Sequence, residues 1–314
     1  MKGNKVIIGT RSSDLAVGQA EIVAEMLGKA VSEYEFELEK IKTKGDKILD
    51  SPLSQVGGKG LFIKELEVSL LEEEIDLAVH SMKDMPAELP EGLAVLGFPE
   101  RVDSRDALVS NGDRNLDELP TGARIGTGSL RRTSQLLNYR PDLEVVPIRG
   151  NINTRLEKLT AEELNLDAIV LAAAGLIRMG WKDKITEYLD DEVMLPAAGQ
   201  GALAIEARED DEEIKTLINK IDDQRTRYIL QAERGFLERL DGDCQVPIGA
   251  LAEIEGEEIT LEGMVATLDG QKHLRDQITG SVGEAEELGI ELAEELIAKG
   301  AEKILQQARQ ETDK

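Results

Sequence analysis

The 314-residue chain reads as an α/β protein: two similar α/β domains followed by a small C-terminal α+β domain. Three observations predict this. The chain opens strand–loop–helix, with an apolar run at residues 5–9, a polar loop at 10–14 and helically spaced apolar residues after it. The opening recurs, with Ile-Gly-Thr-Arg-Ser at 8–12 echoed by Ile-Gly-Thr-Gly-Ser at 125–129. A second echo pairs Ile75-Asp-Leu-Ala-Val79 with Leu166-Asp-Ala-Ile-Val170, each a continuous apolar run after one acid, as in strands buried within a parallel sheet.

The elements follow in order. Residues 5–9 form the first strand, and Leu15, Ile22, Val23, Met26 and Leu27 share one side of the helix after it. Residues 43–60, with Gly45, Gly57, Gly58 and Gly60, read as a long loop and a candidate lid. A helix over 61–74 precedes the strand at 75–79. Past Pro120 come a strand at 124–126, a loop at 127–129 and a helix at 130–138, then a helix at 154–163 before the strand at 166–170. After the acidic run 209–213, a helix at 224–240 leads through 241–244 into short alternating segments around 250–253, 259–265 and 273–279. Gly256 and Asp269-Gly270 mark the turns between them. One long amphipathic helix, roughly 283–309, closes the chain.

Charge and cysteine usage narrow the function. Sixty-three acids against 37 lysines and arginines leave a net charge of −26, which repels polyanions and excludes a general nucleic-acid binder. The single cysteine, Cys244, cannot form an intrachain disulfide, and with only His80 and His273 beside it no ordinary structural zinc site is available, so no metal is expected. No secretory leader is legible, and the longest apolar stretch, 168–177, is too short to span a membrane. A cytoplasmic protein in a reducing compartment is expected.

Against that acidic background residues 122–155 hold six arginines and two acids, a local charge of +4. Arg140 beside Pro141 reads as solvated. Arg131 and Arg132 fall in the first turn of a predicted helix, where the macrodipole disfavours cations, unless an anion sits there between the guanidiniums and the amides of Thr127–Ser129. Replacing either by leucine is then expected to weaken ligand binding more than stability. Arg11, Ser12 and Ser13 occupy the matching place in the first half, although Ser12, Ser13 or Asp14 also suits a helix N-cap. A site lined by both halves suits a ligand with several carboxylates. Neither glycine-rich segment has nucleotide-binding spacing. Lys83 and Asp84 follow the strand at 75–79, where functional groups of open α/β sheets collect. His80 and Ser81 raise a hydrolase alternative, without the usual glycine-flanked serine. Cys244 lies in Gly242-Asp-Cys-Gln-Val-Pro-Ile-Gly249, a polar connection where a thiol is accessible, with Asp243 set to raise its pKa.

These segments resemble the porphobilinogen deaminase (hydroxymethylbilane synthase) family nearly end to end. The most specific blocks are Gly57-Gly-Lys-Gly-Leu-Phe-Ile-Lys-Glu-Leu-Glu67, Ala78-Val-His-Ser-Met-Lys-Asp84, Gly126-Thr-Gly-Ser-Leu-Arg-Arg132, Arg149-Gly-Asn-Ile-Asn-Thr-Arg155, Leu195-Pro-Ala-Ala-Gly-Gln-Gly-Ala202 and the Cys244 segment. The resemblance implies two domains similar to periplasmic binding proteins, at 1–101 with 196–218 and at 102–195, and a third at 219–314. It implies that Cys244 holds one dipyrromethane cofactor by a thioether and that four porphobilinogen molecules are added to it. It makes Asp84 the catalytic carboxylate. Lys83, Asp84, Thr127, Ser129, Arg131, Arg132 and Gly150 match cofactor contacts; Arg11, Ser13, Phe62, Arg149, Arg155, Arg178 and Gln200 match substrate contacts. A monomer with no nucleic acid and no membrane partner is expected. Gly128 for a usual serine, Asp243 for a usual glycine and Gln55 for a common basic residue depart from the family pattern and imply slower cofactor assembly. The competing class is a two-lobed, non-catalytic anion-binding or effector-sensing protein.

Overall fold

In the computed structural model, residues 4–43, 63–242 and 246–312 are described. Most of the predicted lid, with Gln55 and Phe62, and the segment holding Asp243 and Cys244 lie outside the described residues.

Two five-stranded sheets share one layout. The first has β1 (Lys5–Arg11), β2 (Glu35–Ile41), β3 (Leu77–Ser81), β4 (Leu93–Gly97) and β10 (Leu203–Arg208) in the order β2-β1-β3-β10-β4. The second has β5 (Asp106–Ser110), β6 (Arg124–Gly126), β7 (Glu144–Val146), β8 (Ala168–Ala172) and β9 (Glu187–Tyr188) in the order β7-β6-β8-β5-β9. In each, three adjacent strands run parallel and the fourth runs against them. Register makes the sequence echoes equivalent: Ile8 and Gly9 pair with Leu77 and Ala78, as Ile125 and Gly126 pair with Ala168 and Ile169. Even the acid before each apolar strand makes the same bond. Asp76 accepts from the Ile7 amide at 2.8 Å, and Asp167 accepts from the Arg124 amide, at the equivalent register, at 2.9 Å.

The apolar pattern dictates the layers. In the first sheet Val6, Ile8, Leu77, Val79, Leu203 and Ile205 meet Ala20, Val23 and Leu27 of α1 (Asp14–Ala30). On the opposite face Ile75 and Ala78 meet Leu66 and Leu70 of α2 (Lys64–Leu71). The buried stripe of α1 is Ala16, Gln19, Ala20, Val23 and Leu27; Leu15, Ile22 and Met26, predicted to share it, are only half-buried at its edges. In the second sheet α3 (Leu130–Tyr139) and α4 (Ile152–Thr160) follow β6 and β7, and α5 (Ala173–Arg178) follows β8 directly.

The chain re-enters the first sheet through β10 and continues into α6 (Glu212–Ile218) and α7 (Gln224–Arg239). An antiparallel meander of β11 (Ile248–Glu255), β12 (Glu258–Ala266) and β13 (His273–Ser281) comes next. The predicted closing helix is two, α8 (Ala285–Ala298) and α9 (Ala301–Thr312). Gly300 at φ 106 breaks it, because the last turn of α8 closes on a left-handed residue that glycine adopts without a Cβ clash.

By compactness the chain splits into two units. Unit 1 is Met1–Val102 with Gly201–Arg227, and unit 2 is Asp103–Gln200 with Tyr228–Lys314. Within unit 2 the meander is stitched to the second sheet: Asn138 donates to the Gly270 carbonyl at 3.0 Å, and the Ala250 amide donates to the Pro196 carbonyl at 2.9 Å. Leu195 is buried against Leu251, Met264 and Ala266. Among the described residues no helix is long and apolar enough to cross a membrane.

Candidate active site

Unit 1 brings Arg11, Ser13, Lys83 and Asp84 to the carboxyl ends of two adjacent parallel strands. Arg11 ends β1, and Ser13 is the N-cap of α1, its Oγ accepting from the Ala16 amide at 3.4 Å. Lys83 and Asp84 lie in the 3₁₀ turn Met82–Asp84 that follows β3. The Met82 amide donates to the Ala202 carbonyl at 3.0 Å, and the Met85 amide closes the turn on the Met82 carbonyl at 3.1 Å. Met82 and Met85 are buried whereas Asp84 is exposed, so two apolar anchors present a carboxylate to solvent.

The same strand removes the hydrolase reading. Successive strand residues point to opposite faces. Ser81 Oγ accepts from Gln19 Nε2 of α1 at 2.9 Å, whereas His80 Nε2 lies 2.8 Å from Glu206 Oε2 of β10. No Ser81–His80 dyad exists.

Unit 2 carries Thr127, Ser129, Arg149 and Gly150 on the segments that follow β6 and β7. The Thr127 amide donates to the Val146 carbonyl at 3.0 Å and the Ile148 amide to the Thr127 carbonyl at 3.4 Å, joining the loops that carry residues 127–129 and 147–151. Ser129 caps α3, accepting from the Arg132 amide at 3.5 Å, and its own amide donates to Thr127 Oγ1 at 3.3 Å. Two of the three amides expected to face an anion are therefore bonded within the fold. Gly150, at φ 114, turns the chain into α4, and Arg155 Nε donates to its carbonyl at 2.9 Å. Arg178 ends α5, where burial pulls its guanidinium down to about 10.

The anion that Arg131 and Arg132 meet is one the sequence did not reveal. Asp106, the first residue of β5, lies opposite Ala172 at the end of β8 and is fully buried. Arg131 Nη1 donates to its Oδ2 at 2.7 Å; Arg132 Nε donates to its Oδ1 at 2.9 Å and Gln200 Nε2 at 3.0 Å. Further bonds run from Arg131 to the Leu195 carbonyl at 2.7 Å and from Arg132 to the Val170 carbonyl at 2.9 Å. Both arginines are buried. Burial alone would raise the Asp106 carboxyl, but the two guanidiniums outweigh it and hold the group well below the usual carboxylate range. The macrodipole cost at the start of α3 is thus offset from within. The only trace in the sequence is an acid heading an apolar run, which Asp76 and Asp167 also show while serving as backbone caps.

The +4 island divides accordingly. Arg140 is no solvated side chain: it grips both Asp142 oxygens at 2.7 Å and the Leu116 carbonyl at 2.9 Å, and holds the Asp142 carboxyl down at about 2. Arg124 pairs with Glu144. Arg149 and Arg155 bracket the N-terminus of α4.

Comparison with known proteins fixes the family. Residues 6–216 match the family model "Porphobilinogen deaminase, dipyromethane cofactor binding domain", and residues 228–298 match "Porphobilinogen deaminase, C-terminal domain". The chain belongs to the porphobilinogen deaminase family. It is 52% identical over 306 residues to the porphobilinogen deaminase of Desulforamulus reducens, covering 98% of each chain. It is 54% identical over 310 residues to that of Geobacter metallireducens, covering 99% of this chain and 96% of the other. Among solved structures, a methionine-bound nutrient binding protein from Burkholderia cenocepacia is similar over 70% of this chain and 93% of its own, at TM-score 0.42 and 13% identity.

A porphobilinogen deaminase is a transferase with a dipyrromethane cofactor, and the donor set fits that group. A dipyrromethane with acetate and propionate arms is a polycarboxylate, and unit 2 carries Arg149 and Arg155 on the segment bonded to the hydroxyl-bearing loop of Thr127 and Ser129. One departure from the family pattern acquires a reason. A Cβ on Gly128 would stand 2.7 Å from the Ile148 carbonyl oxygen, so this loop is packed for glycine. Gly128→Ser should therefore destabilise the protein by about 1–3 kcal/mol through overpacking. A thermal melt that moves upward would show instead that the missing hydroxyl is a loss.

Proposed function

We propose that this chain joins four porphobilinogen molecules head to tail on a primer carried by Cys244 and releases hydroxymethylbilane by hydrolysis. The observation that carries this reading is the placement of Asp84, an exposed carboxylate on an anchored turn at the carboxyl end of β3, in a family member whose equivalent strand ends in unit 2 carry arginines. Held by the Cys244 thioether, a dipyrromethane would supply a terminal pyrrole carbon as nucleophile. Each addition breaks the C–N bond of one aminomethyl group, forms one C–C bond and releases ammonia together with the proton of the attacking carbon.

The chain's own residues divide the work. Asp84 stabilises the positive charge that develops on a pyrrole nitrogen as ammonia leaves. Lys83, Arg11 and Ser13 in unit 1 and Arg149, Arg155 and Arg178 in unit 2 bind acetate and propionate groups. Thr127, Ser129 and Gly150 shape the loop that receives the cofactor, and Phe62, outside the described residues, is assigned to substrate binding by the family resemblance alone. Arg131, Arg132 and Gln200 act through the Asp106 network, which fixes the loops on either side of it. Residues 219–314 serve as the carrier domain for Cys244. The protein works as a cytoplasmic monomer without nucleic acid.

Intact mass tests this directly. The purified protein should carry the extra mass of two linked pyrroles, and Cys244→Ala should lack it and be inactive. Asp243→Gly should load faster after incubation with porphobilinogen. A wild-type protein that stays at its bare mass under those conditions would leave the anion-binding, non-catalytic alternative standing.

A further inference from the structure

One buried polar cluster has no part in the chemistry above. His80 on β3, Glu206 on β10 and Glu67 on α2 are all buried, on the face of the first sheet opposite α1. The register explains their meeting. Ala204 lies across from His80, and Glu206, two residues on, points to the same face, so Glu206 Oε2 comes 2.8 Å from His80 Nε2. Burial raises the Glu67 carboxyl, the Glu206 charge raises it further, and His80 opposes them. A sheet interior holds three titratable groups only if their charges compensate, because an uncompensated buried ion costs several kcal/mol.

The position of the cluster points to a use. His80 is followed by Ser81, which β alternation turns to the other face, where Gln19 of α1 holds it at 2.9 Å. The last two residues of β3 are thus engaged on both faces, Ser81 by a hydrogen bond and His80 by a close buried contact with the Glu206 carboxylate. The next three residues are the turn bearing Lys83 and Asp84. Apolar packing alone would let a strand end shift along its neighbour, whereas a hydrogen bond on one face and a buried charged contact on the other resist that shift, because separating buried opposite charges is costly.

We propose that His80 and Glu206, with Glu67 beside them, are positioning residues that set the placement of Asp84 through the end of β3. This rests on the role given to Asp84 above. A 1 Å displacement of a catalytic group can cost about a hundredfold in rate. Glu206→Gln should accordingly lower kcat per cofactor-loaded site about tenfold or more while KM for porphobilinogen stays within about twofold. Glu206→Asp, which keeps the charge, should recover part of the loss and also serves if the glutamine variant fails to load. A purely structural role would lower the melting temperature and the loaded fraction yet leave kcat per loaded site unchanged, and that result overturns the proposal. The wild-type protein provides a readout that does not use activity. It has two histidines, so in His273→Gln the remaining imidazole is His80. Its Nε2 proton should appear in the NMR spectrum as a downfield signal protected from solvent exchange, and its absence would equally overturn the proposal. Retained turnover in Asp84→Ala would instead fail the reading of Asp84 and leave the His80 signal in place.

Discussion

Asp84→Ala should give a folded protein that no longer consumes porphobilinogen. The side chain is exposed, and the turn that holds it is anchored by Met82 and Met85 rather than by the carboxylate. Its removal should change stability by no more than about 0.5 kcal/mol. Loss of a group aimed at developing charge costs about 10² to 10³ in kcat, which is the loss expected under the role proposed for Asp84. Circular dichroism and melting should match the wild type while ammonia release falls to background. Near-normal turnover would remove Asp84 from the mechanism. Asp84→Asn keeps the shape and should be nearly as impaired, which separates charge from hydrogen bonding.

Asp106→Ala should be the most destabilising single change in the second unit. It leaves Arg131 and Arg132 buried against the Leu195 and Val170 carbonyls without their counter-ion, and breaking a buried ion pair from one side costs about 3–5 kcal/mol. The effect has a pH signature. Asp106 has its folded pKa depressed below the ordinary 3.8, so its contribution is fully present above that value and fades as the pH falls below it. The stability gap between wild type and Asp106→Asn, measured by urea unfolding, should be constant from pH 7 to pH 5 and shrink below about pH 4. A gap that is the same at pH 3 and pH 7 would mean the carboxylate charge is not what the arginines need. By the same geometry, Arg131→Leu and Arg132→Leu should show large losses of stability, whereas the sequence pattern had placed their cost in ligand binding.

Much of the fold was legible because its signals are local. The two Ile-Gly-Thr segments and the two acid-headed apolar strands fall at equivalent registers, and Ser13 and Ser129 cap helices where hydroxyls precede a helical pattern. The long closing helix was misread although Gly300 stands in its middle, because a glycine within an amphipathic pattern costs only about 1 kcal/mol and does not announce its φ. The candidate site was half legible. Residues at strand ends follow from topology, so Arg11, Lys83, Asp84, Arg149 and Arg155 fall where a parallel sheet collects function. Arg140 was misjudged, because a cation followed by proline looks solvated until the Leu116 carbonyl and Asp142 close on it.

By itself the sequence determined the α/β class, the internal repeat, the capped helices and the family, all carried by periods and motifs within a few residues of one another. Only the tertiary structure decided which charges are spent inside the protein. Asp106 is 25 residues from Arg131 and 94 from Gln200, and Glu206 meets His80 only because β10 is inserted antiparallel beside β3. The physical reason is that a buried charge must find its counter-charge wherever the fold brings one near, and no local pattern records that choice.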